Sequence, residues 1–429
     1  PNYMGRNEHY TTTAGLNLFV ATDQRVFTSR MNTAVNRGYL PDVLDDAGRL
    51  HVFASSCSPV IYRGDQFGPD FIGDAFVCDP AANIIKRNHV FEKGMTLSAQ
   101  QAYDGYEFLS STDERFRPVS LHQGPDGCLW VLDMYRGIAQ YGMFMTDYLR
   151  RESLKRELQK GIHYGRLYRL VNPNEKQRLP LEISDLPGAE LVSLLSYSDG
   201  WVRDIAQRVI VESGDTLVVP DLIKALKDSD NSLEMIHALW TLEGLFMDLK
   251  PTAGTRPNEG AIIDVHSQTD LQAASLPRNV WSACLVLLNH SDSKVKSAAI
   301  RVCESLSRNP PHHQTELLAA LEKHMGDFDM PVLFQCALTS GNLMMPQALP
   351  LMATLAFGHC GEWLIREALM SGLENWEMTF LQMLLSRSDW NTQTPGRVLM
   401  LQSLSRAVIS EGKSSNVGLL LAAIEWQKG

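Results

Sequence analysis

The first 173 residues alternate short hydrophobic runs with turn sequences, which is typical of a β-rich domain. The runs have strand length and favour β-branched and aromatic residues; they read LHVFASS, SPVIYRG, DAFVCDP, NIIKRNHV, PVSLHQG, CLWVLDMY and GRLYRLV. Turns such as Asp46-Ala47-Gly48 and Pro125-Asp126-Gly127 separate them. Since no helical segments alternate with these runs, the pattern favours a sheet-rich architecture such as a sandwich or a propeller.

One segment near the end of this half has a different period. Between residues 144 and 160 the apolar side chains recur at helical spacing while the other positions are mostly charged. We therefore predict a surface helix near 144–160, inserted before the last strand.

From about Leu181 onward the hydrophobic period is helical, and a loose repeat is visible. Asp199, Asp230, Asp292 and Asp329 each open an apolar stripe rich in small residues, and they lie 31, 62 and 37 residues apart. The 62-residue interval suggests one further repeat beneath the Pro/Gly-rich stretch 250–270. Each Asp is expected to cap a helix. Because such helices bury their faces only by stacking, the period predicts an α-solenoid of the HEAT or armadillo kind over 181–429.

Composition and charge narrow the class of protein. The 429 residues are 44% hydrophobic and 21% charged, which is typical of globular domains, and the length favours two of them. The formal charge of -10 argues against nucleic acid as a partner, since phosphate binding needs a basic face. The sequence contains no apolar run long enough to span a membrane. Because the chain begins with Pro1, we expect it to be a piece of a longer protein.

The motifs of several common chemistries are missing from the sequence. There is no P-loop, G-x-S-x-G, H-E-x-x-H or Rossmann glycine set. The seven cysteines show no C-x-x-C, no haem-binding C-x-x-C-H and no zinc spacing, so the sequence predicts no metal site. We expect most of them to be buried free thiols. Pairing of Cys57 with Cys78, in neighbouring predicted strands, stays open as an alternative.

Several segments resemble a known family. They are VNRGY (35–39), GRLHVFASSCSPVIYRGDQF (48–67), FIGDAFVCDPAANIIKR (71–87), EFLSSTDERFRPVSLHQGPDGCLWVLDMYRGI (107–138) and GRLYRL (165–170), followed by DGWVRDIAQRVI and IHALWTLEGL in the helical half. They resemble the large bacterial proteins, abundant in Planctomycetes, that are named membrane-bound dehydrogenases. Members of that family join a β-propeller like that of glucose/sorbosone dehydrogenases to HEAT-like repeats, often followed by a cytochrome c domain.

The resemblance implies a fold and a function. Residues 1–173 would be the C-terminal part of a β-propeller, its later blades, and 181–429 an all-α HEAT-like solenoid. The protein would lie in the periplasm or cell envelope and oxidise a sugar or alcohol at a propeller pocket with pyrroloquinoline quinone and calcium. Electrons would pass to a haem domain outside this chain. The alternative is a non-catalytic scaffold that binds a glycan or a protein, with the solenoid as a partner surface.

Two arginines are candidates for binding an anionic cofactor. In DERFRP (113–118), Arg115 and Arg117 fall on one face if the segment is extended. Adjacent guanidinium groups repel each other unless an anion or carboxylates lie between them, and their planar shape suits carboxylates. They therefore bind the cofactor, or they pair with Asp113, Glu114 and Asp133.

The end of the strand CLWVLDMY supplies further candidates. Asp133, Tyr135 and Arg136 follow its apolar positions and fit one wall of a pocket, although a structural ion pair of Asp133 explains them equally well. Arg63, beside the turn at Gly64, is either a pocket arginine or part of a loop-stabilising pair.

No general base can be assigned from the sequence. Histidine is the usual base near neutral pH, and the β-rich half offers His9, His51, His89, His122 and His163. In the helical half, the tryptophans are expected to be core residues. His312 and His313 are expected to lie in a loop after Pro310-Pro311.

Overall fold

A computed structural model describes residues 3–12, 19–22, 24–30, 42–139, 141–247, 278–308 and 311–426. The repeat predicted within 250–270 lies outside the described residues. The chain divides into two compact units: a sheet unit, residues 18–185 and 197–205, and a helical unit, residues 1–17, 186–196 and 206–429.

The sheet unit contains two antiparallel sheets. The first has five strands in the order β1-β2-β3-β4, with β5 also paired to β3, and the second has three in the order β6-β7-β8. The strands are β1 (Cys57–Ile61), β2 (Ala75–Asp79), β3 (Ile84–Lys93), β4 (Thr96–Gln101), β5 (Leu109–Ser110), β6 (Pro118–Gln123), β7 (Leu129–Asp133) and β8 (Arg166–Leu170).

The two sheets share one apolar core. Phe76 and Ile85 of the first sheet and Leu121 and Val131 of the second are buried in a single cluster. A hydrogen bond of 2.8 Å from the Leu121 N–H to the Ser58 hydroxyl also joins β6 to β1. Packing of the two faces therefore holds this unit together.

Fourteen α-helices occur in the described part of the chain. They are α1 (Asp147–Lys155), α2 (Gly188–Ser193), α3 (Gly200–Ser213), α4 (Val219–Asp228), α5 (Ser232–Met247), α6 (Arg278–Val286), α7 (Ser293–Leu306), α8 (His312–His324), α9 (Met330–Ser340), α10 (Leu349–His359), α11 (Trp363–Ser371), α12 (Glu377–Leu385), α13 (Pro395–Glu411) and α14 (Ser414–Trp426). Helix α1 falls within the segment 144–160. No helix in the described ranges is both long and apolar enough to cross a bilayer.

In the helical unit, α5, α7, α9 and α11 pack against one another in succession. The side chains of Asp292 and Asp329 accept main-chain hydrogen bonds at the starts of α7 and α9, as the sequence predicts. At α5 the prediction is wrong by one residue, because Asn231 rather than Asp230 accepts from the N–H of Leu233. The N-terminal segment, residues 3–12, also belongs to this unit and contacts the ends of α9 and α11.

The predicted fold class, later propeller blades followed by an all-α HEAT-like solenoid, is wrong. The chain is mixed α/β: its eight described strands form two small sheets, and neither closes or repeats radially as propeller blades do. Strand-length runs with glycine turns specify local antiparallel pairing, but they do not specify how many strands a sheet contains or whether it closes. The LHVFASS run forms only isolated bridges, Arg25 to Val52 and Leu44 to Leu50. The helical unit also includes the non-helical stretch after Gly5.

All seven cysteines are free thiols, and all except the half-buried Cys57 are buried. Cys57 lies opposite Cys78 in the register of β1 and β2, so the two predicted strands are indeed neighbours. Burial raises the pKa of the Cys78 thiol to about 12, which leaves it protonated at neutral pH.

Candidate functional site

Arg117 is buried and its guanidinium group is bound within the protein. Its Nε donates to the carbonyl oxygen of Arg136 (3.0 Å), Nη1 to that of Pro80 (2.6 Å) and Nη2 to that of Gly137 (2.9 Å). Burial, together with the charge of a neighbouring arginine, lowers its pKa to about 10. The group therefore stays charged at neutral pH and joins three loop carbonyls.

Asp133, the last residue of β7, organises the turn that follows. It is fully buried, and its Oδ1 accepts from the main-chain N–H groups of Arg117 (2.7 Å) and Tyr135 (2.8 Å). Tyr135 has a φ of 47°, and the Arg166 guanidinium lies 3.4 Å from its ring centroid. Asp133 Oδ2 has no hydrogen-bond partner among the described residues. The carboxylate thus holds a left-handed turn in place.

Arg115 and Arg117 have different hydrogen-bond partners. Its main-chain N–H donates to Asp113 Oδ1 (2.9 Å), and its Nη2 donates to the carbonyl oxygen of Glu157 (3.2 Å). Glu114 forms an ion pair with Arg30 at 3.3 Å. The expected side-chain pairing of Arg115 with Asp113 and Glu114 is thus replaced by main-chain contacts and by other arginines.

Arg63 forms an ion pair with Asp204, and both side chains are 44% exposed. The main-chain N–H of Arg63 donates to Gln123 Oε1 at 3.0 Å. Of the six candidate residues, the structure brings together four that are linked by hydrogen bonds: Arg117, Asp133, Tyr135 and Arg136. Arg115 and Arg63 have separate partners.

This cluster does not fit an anionic quinone with calcium. The guanidinium of Arg117 already binds three carbonyl oxygens, so it is not available to a ligand carboxylate. The remaining acceptor, Asp133 Oδ2, carries negative charge and would repel a tricarboxylate. One carboxylate oxygen is also far short of the 6–8 oxygen ligands that calcium takes.

Another buried carboxylate in the sheet unit is Asp199, just before α3. Its oxygens accept from the Arg178 guanidinium, the Gln123 amide and the main-chain N–H of Trp201, the last at 2.9 Å. Burial raises its pKa to about 6, while the Trp201 N–H and Arg178 oppose the shift. The sequence predicts only a helix cap at Asp199, because Arg178 and Gln123 become its neighbours only in the folded chain.

We expect the Asp199 carboxyl to titrate with a midpoint near pH 6 in the folded protein. The folded state then holds a proton that the unfolded chain releases near pH 4, so stability from this group is lost as pH rises from about 4 to 6. The measurement is carboxyl carbon NMR of labelled aspartate, assigned with Asp199→Asn. Arg178→Ala should raise the midpoint further. A midpoint at or below pH 4 contradicts the prediction.

The helical unit contains an open groove of about 760 Å³ between α6 and α8. Trp281 lies in it, stacked on His313 with ring centroids 4.1 Å apart and an interplanar angle of 6°. Its indole Nε1 donates to Glu316 Oε2 at 2.7 Å. Burial, with the charge of His312, lowers the pKa of His313. His313 is therefore neutral at neutral pH and forms part of the groove wall.

The remaining polar residues of the groove are mostly basic. Arg278 and Lys323 line it, and Glu316 is the sole acidic side chain among the described lining residues. The sequence prediction that His312 lies in a loop is wrong, because α8 begins at that residue. Proline just before a helical run is a common helix start, and this signal could have placed both histidines on α8.

Comparisons with known proteins give little information about activity. A family described as a domain of unknown function, DUF7133, matches residues 1–174. No curated protein matches the chain. One similar solved structure is that of an engineered protein from the Northeast Structural Genomics Consortium, with 18% identity, covering 55% of this chain and 84% of that chain, at a TM-score of 0.24. A likeness at that score carries no argument about fold or function.

Proposed function

We propose that this protein is a non-catalytic binding protein, and that the groove between α6 and α8 holds an acidic peptide segment of a protein partner. The observation that carries the proposal is a basic groove on an acidic chain. The groove is lined by two cationic side chains, Arg278 and Lys323, and by one carboxylate, Glu316, whereas the chain as a whole has a formal charge of -10. A local charge opposite to that of the whole protein favours an anionic ligand there.

The helix faces supply the rest of the recognition surface. Leu285 and the exposed Val286 line the groove on α6, and the exposed Ala319 and Lys323 lie four residues apart on one side of α8. Apolar and basic side chains therefore both line the groove, which suits a peptide that alternates apolar and acidic residues.

A peptide fits this groove better than a glycan. Trp281 is only 2% exposed and one face of its ring is covered by His313. The indole is therefore not an open platform for a sugar ring.

Oxidation of a sugar or alcohol stays a prediction from the resemblance, as does location in the periplasm or cell envelope. The candidate residues in the sheet unit are engaged with main-chain carbonyls and other side chains, so they lend no geometric support to catalysis. This leaves binding as the function with better support.

The test uses two fluorescein-labelled peptides, one alternating Glu with Leu and one with Gln in place of Glu. In fluorescence anisotropy with the full chain, the acidic peptide should bind and the neutral one should bind at least about tenfold more weakly. The double variant Arg278→Gln/Lys323→Gln should weaken binding of the acidic peptide about tenfold, and added salt should weaken it as well.

Lys224→Gln is the matched control, because Lys224 is an exposed lysine on α4 that does not line the groove. It should leave the affinity unchanged. Equal affinity for the two peptides, or equal loss in the control and the groove variant, contradicts the proposal.

A further inference from the structure

Three side chains that can bind a metal converge in the helical unit from distant parts of the sequence. His9 lies in the N-terminal segment, Glu377 is the first residue of α12 and Glu411 is the last residue of α13. One ring nitrogen of His9 and one oxygen of each carboxylate all lie within 4.8 Å of one another. His9 Nδ1 is 3.0 Å from Glu377 Oε1.

These groups are largely shielded from solvent. The side chain of Glu377 is fully buried and that of Glu411 is 2% exposed, whereas that of His9 is 19% exposed. Glu377 Oε2 has no hydrogen-bond partner among the described residues. Since a buried carboxylate without full pairing is costly, this oxygen indicates a missing positive partner.

Neighbouring residues fix the orientation of the three groups. The Asn416 amide donates to Glu411 Oε2 at 2.6 Å. The main-chain N–H of His9 donates to Asn7 Oδ1 at 2.9 Å, and the Asn7 amide donates to the carbonyl oxygen of Met370 at 2.8 Å. Hydrogen bonds behind the ligands are a regular feature of metal sites because they hold the ligands in place.

One cation already lies next to the cluster. Lys413 Nζ is 2.6 Å from Glu411 Oε1 and 3.2 Å from Asn375 Oδ1, and its side chain is 53% exposed. Because the Lys413 side chain is exposed, its ammonium can leave Glu411 and be solvated by water when a metal binds. The alternative to a metal is therefore a charge cluster in which Lys413 and a protonated His9 neutralise the two carboxylates.

We infer that His9, Glu377 and Glu411 form a binding site for a divalent first-row metal ion, for which Zn²⁺ is the probe. One imidazole and two carboxylates are a donor set that such ions accept, and two carboxylates balance the 2+ charge. Ligand distances of about 2.0–2.2 Å place two donors at most about 4.4 Å apart, so the donors need to move by less than about 1 Å. Three protein ligands leave a fourth position for water.

The metal would fasten the N-terminal segment to α12 and α13. His9 is the one ligand from that segment, and it lies hundreds of residues from the other two along the chain. Binding to the folded form alone stabilises that form, so the metal should hold the segment more firmly in place.

The test is calorimetric titration of the chelator-treated full chain with Zn²⁺, supported by the absorption spectrum of the Co²⁺ form. We expect one site per chain that Glu377→Gln weakens at least about 100-fold, since the carboxamide cannot supply the charge of a ligand. Zn²⁺ should also slow proteolysis within residues 3–12 of the unsubstituted protein, and His9→Gln should abolish this protection.

The matched control is Glu367→Gln, on α11. Glu367 is also buried and also contacts the N-terminal segment, by accepting from the Tyr10 hydroxyl at 2.8 Å, but it is not one of the three grouped side chains. Its replacement should leave Zn²⁺ affinity unchanged. Circular dichroism checks that each variant is folded. If Glu377→Gln is not folded, the Zn²⁺ affinity is compared with that of His9→Gln instead. Absence of Zn²⁺ binding, or binding that persists in His9→Gln, overturns the inference.

Discussion

Replacing Lys86 with Met should lower the free energy of unfolding of the sheet unit by about 3–5 kcal/mol, because it leaves a buried carboxylate without its partner. The side chains of Lys86 and Glu107 are each 1% exposed, and Nζ lies 3.1 Å from Glu107 Oε1. Nζ also donates to the carbonyl oxygen of Arg25 at 2.8 Å. The measurement is urea denaturation together with hydrogen exchange of the peptide that contains β3.

The loss should depend on pH. Burial raises the pKa of Glu107, and Lys86 opposes this shift, so the variant has a still higher pKa there. When a carboxyl has a higher pKa in the folded protein than in the unfolded chain, the folded protein becomes less stable as pH rises above the unfolded pKa, which is about 4.3 for Glu. The deficit of Lys86→Met should therefore be smaller at pH 4 than at pH 7.

Two further variants control this experiment. Lys86→Met/Glu107→Leu removes both charges and should recover most of the loss. Arg49→Met breaks an ion pair with Asp45 in which the arginine is 49% exposed, and it should change stability far less than Lys86→Met does. If Lys86→Met and Arg49→Met have equal effects, the buried pair does not have the role assigned to it.

Local pattern predicted the strands better than it predicted the sheets. The runs around Phe76, Ile85, Leu121 and Val131 became β2, β3, β6 and β7. Burial alternates along β7 and most of β2, as expected for a sheet with one buried face, whereas the first five residues of β3 are all buried. Strand β4, TLSAQQ, was missed since it has little apolar character. Sheet order and closure depend on contacts between distant strands, which no local period encodes, and this is where the propeller prediction failed.

The candidate site shows the same limit. The sequence left open whether the Arg117 side chain binds an anion or pairs with a carboxylate such as Asp133, and in the structure only the main-chain N–H of Arg117 donates to Asp133 Oδ1, at 2.7 Å. The sequence could not show that the carbonyl of Pro80, 37 residues away, would accept from the guanidinium and remove it from ligand binding. Likewise the sequence offers His9 only as a candidate base in the β-rich half. Its carboxylate partner Glu377 is 368 residues distant in the sequence.

Replacing Arg6 with Ala should lower the free energy of unfolding of the helical unit by about 3 kcal/mol. The guanidinium donates to the carbonyl oxygens of Leu338 (2.8 Å) and Ser371 (3.1 Å), near the C-terminal ends of α9 and α11, and to Asn342 Oδ1 (2.7 Å). Hydrogen bonds from a charged donor contribute about 1.5–3 kcal/mol each and do not add fully. The positive charge of Arg6 also interacts favourably with the dipoles of α9 and α11, because it lies near their C-termini.

The position of Arg6 depends on its close approach to Gly341. A Cβ at Gly341 would lie 2.5 Å from Arg6 Nη2, so a glycine without a side chain is needed beneath the guanidinium.

Arg6→Lys should recover only part of the stability lost in Arg6→Ala, because one ammonium cannot reach three acceptors in a planar arrangement. Arg208→Ala, which removes a 66% exposed arginine paired with Glu212, is the surface control and should change stability by less than about 0.5 kcal/mol. Urea denaturation gives the size of each effect, and hydrogen exchange at the ends of α9 and α11 locates it. An Arg6→Ala deficit no larger than that of Arg208→Ala means that water replaces the guanidinium at these carbonyls without loss.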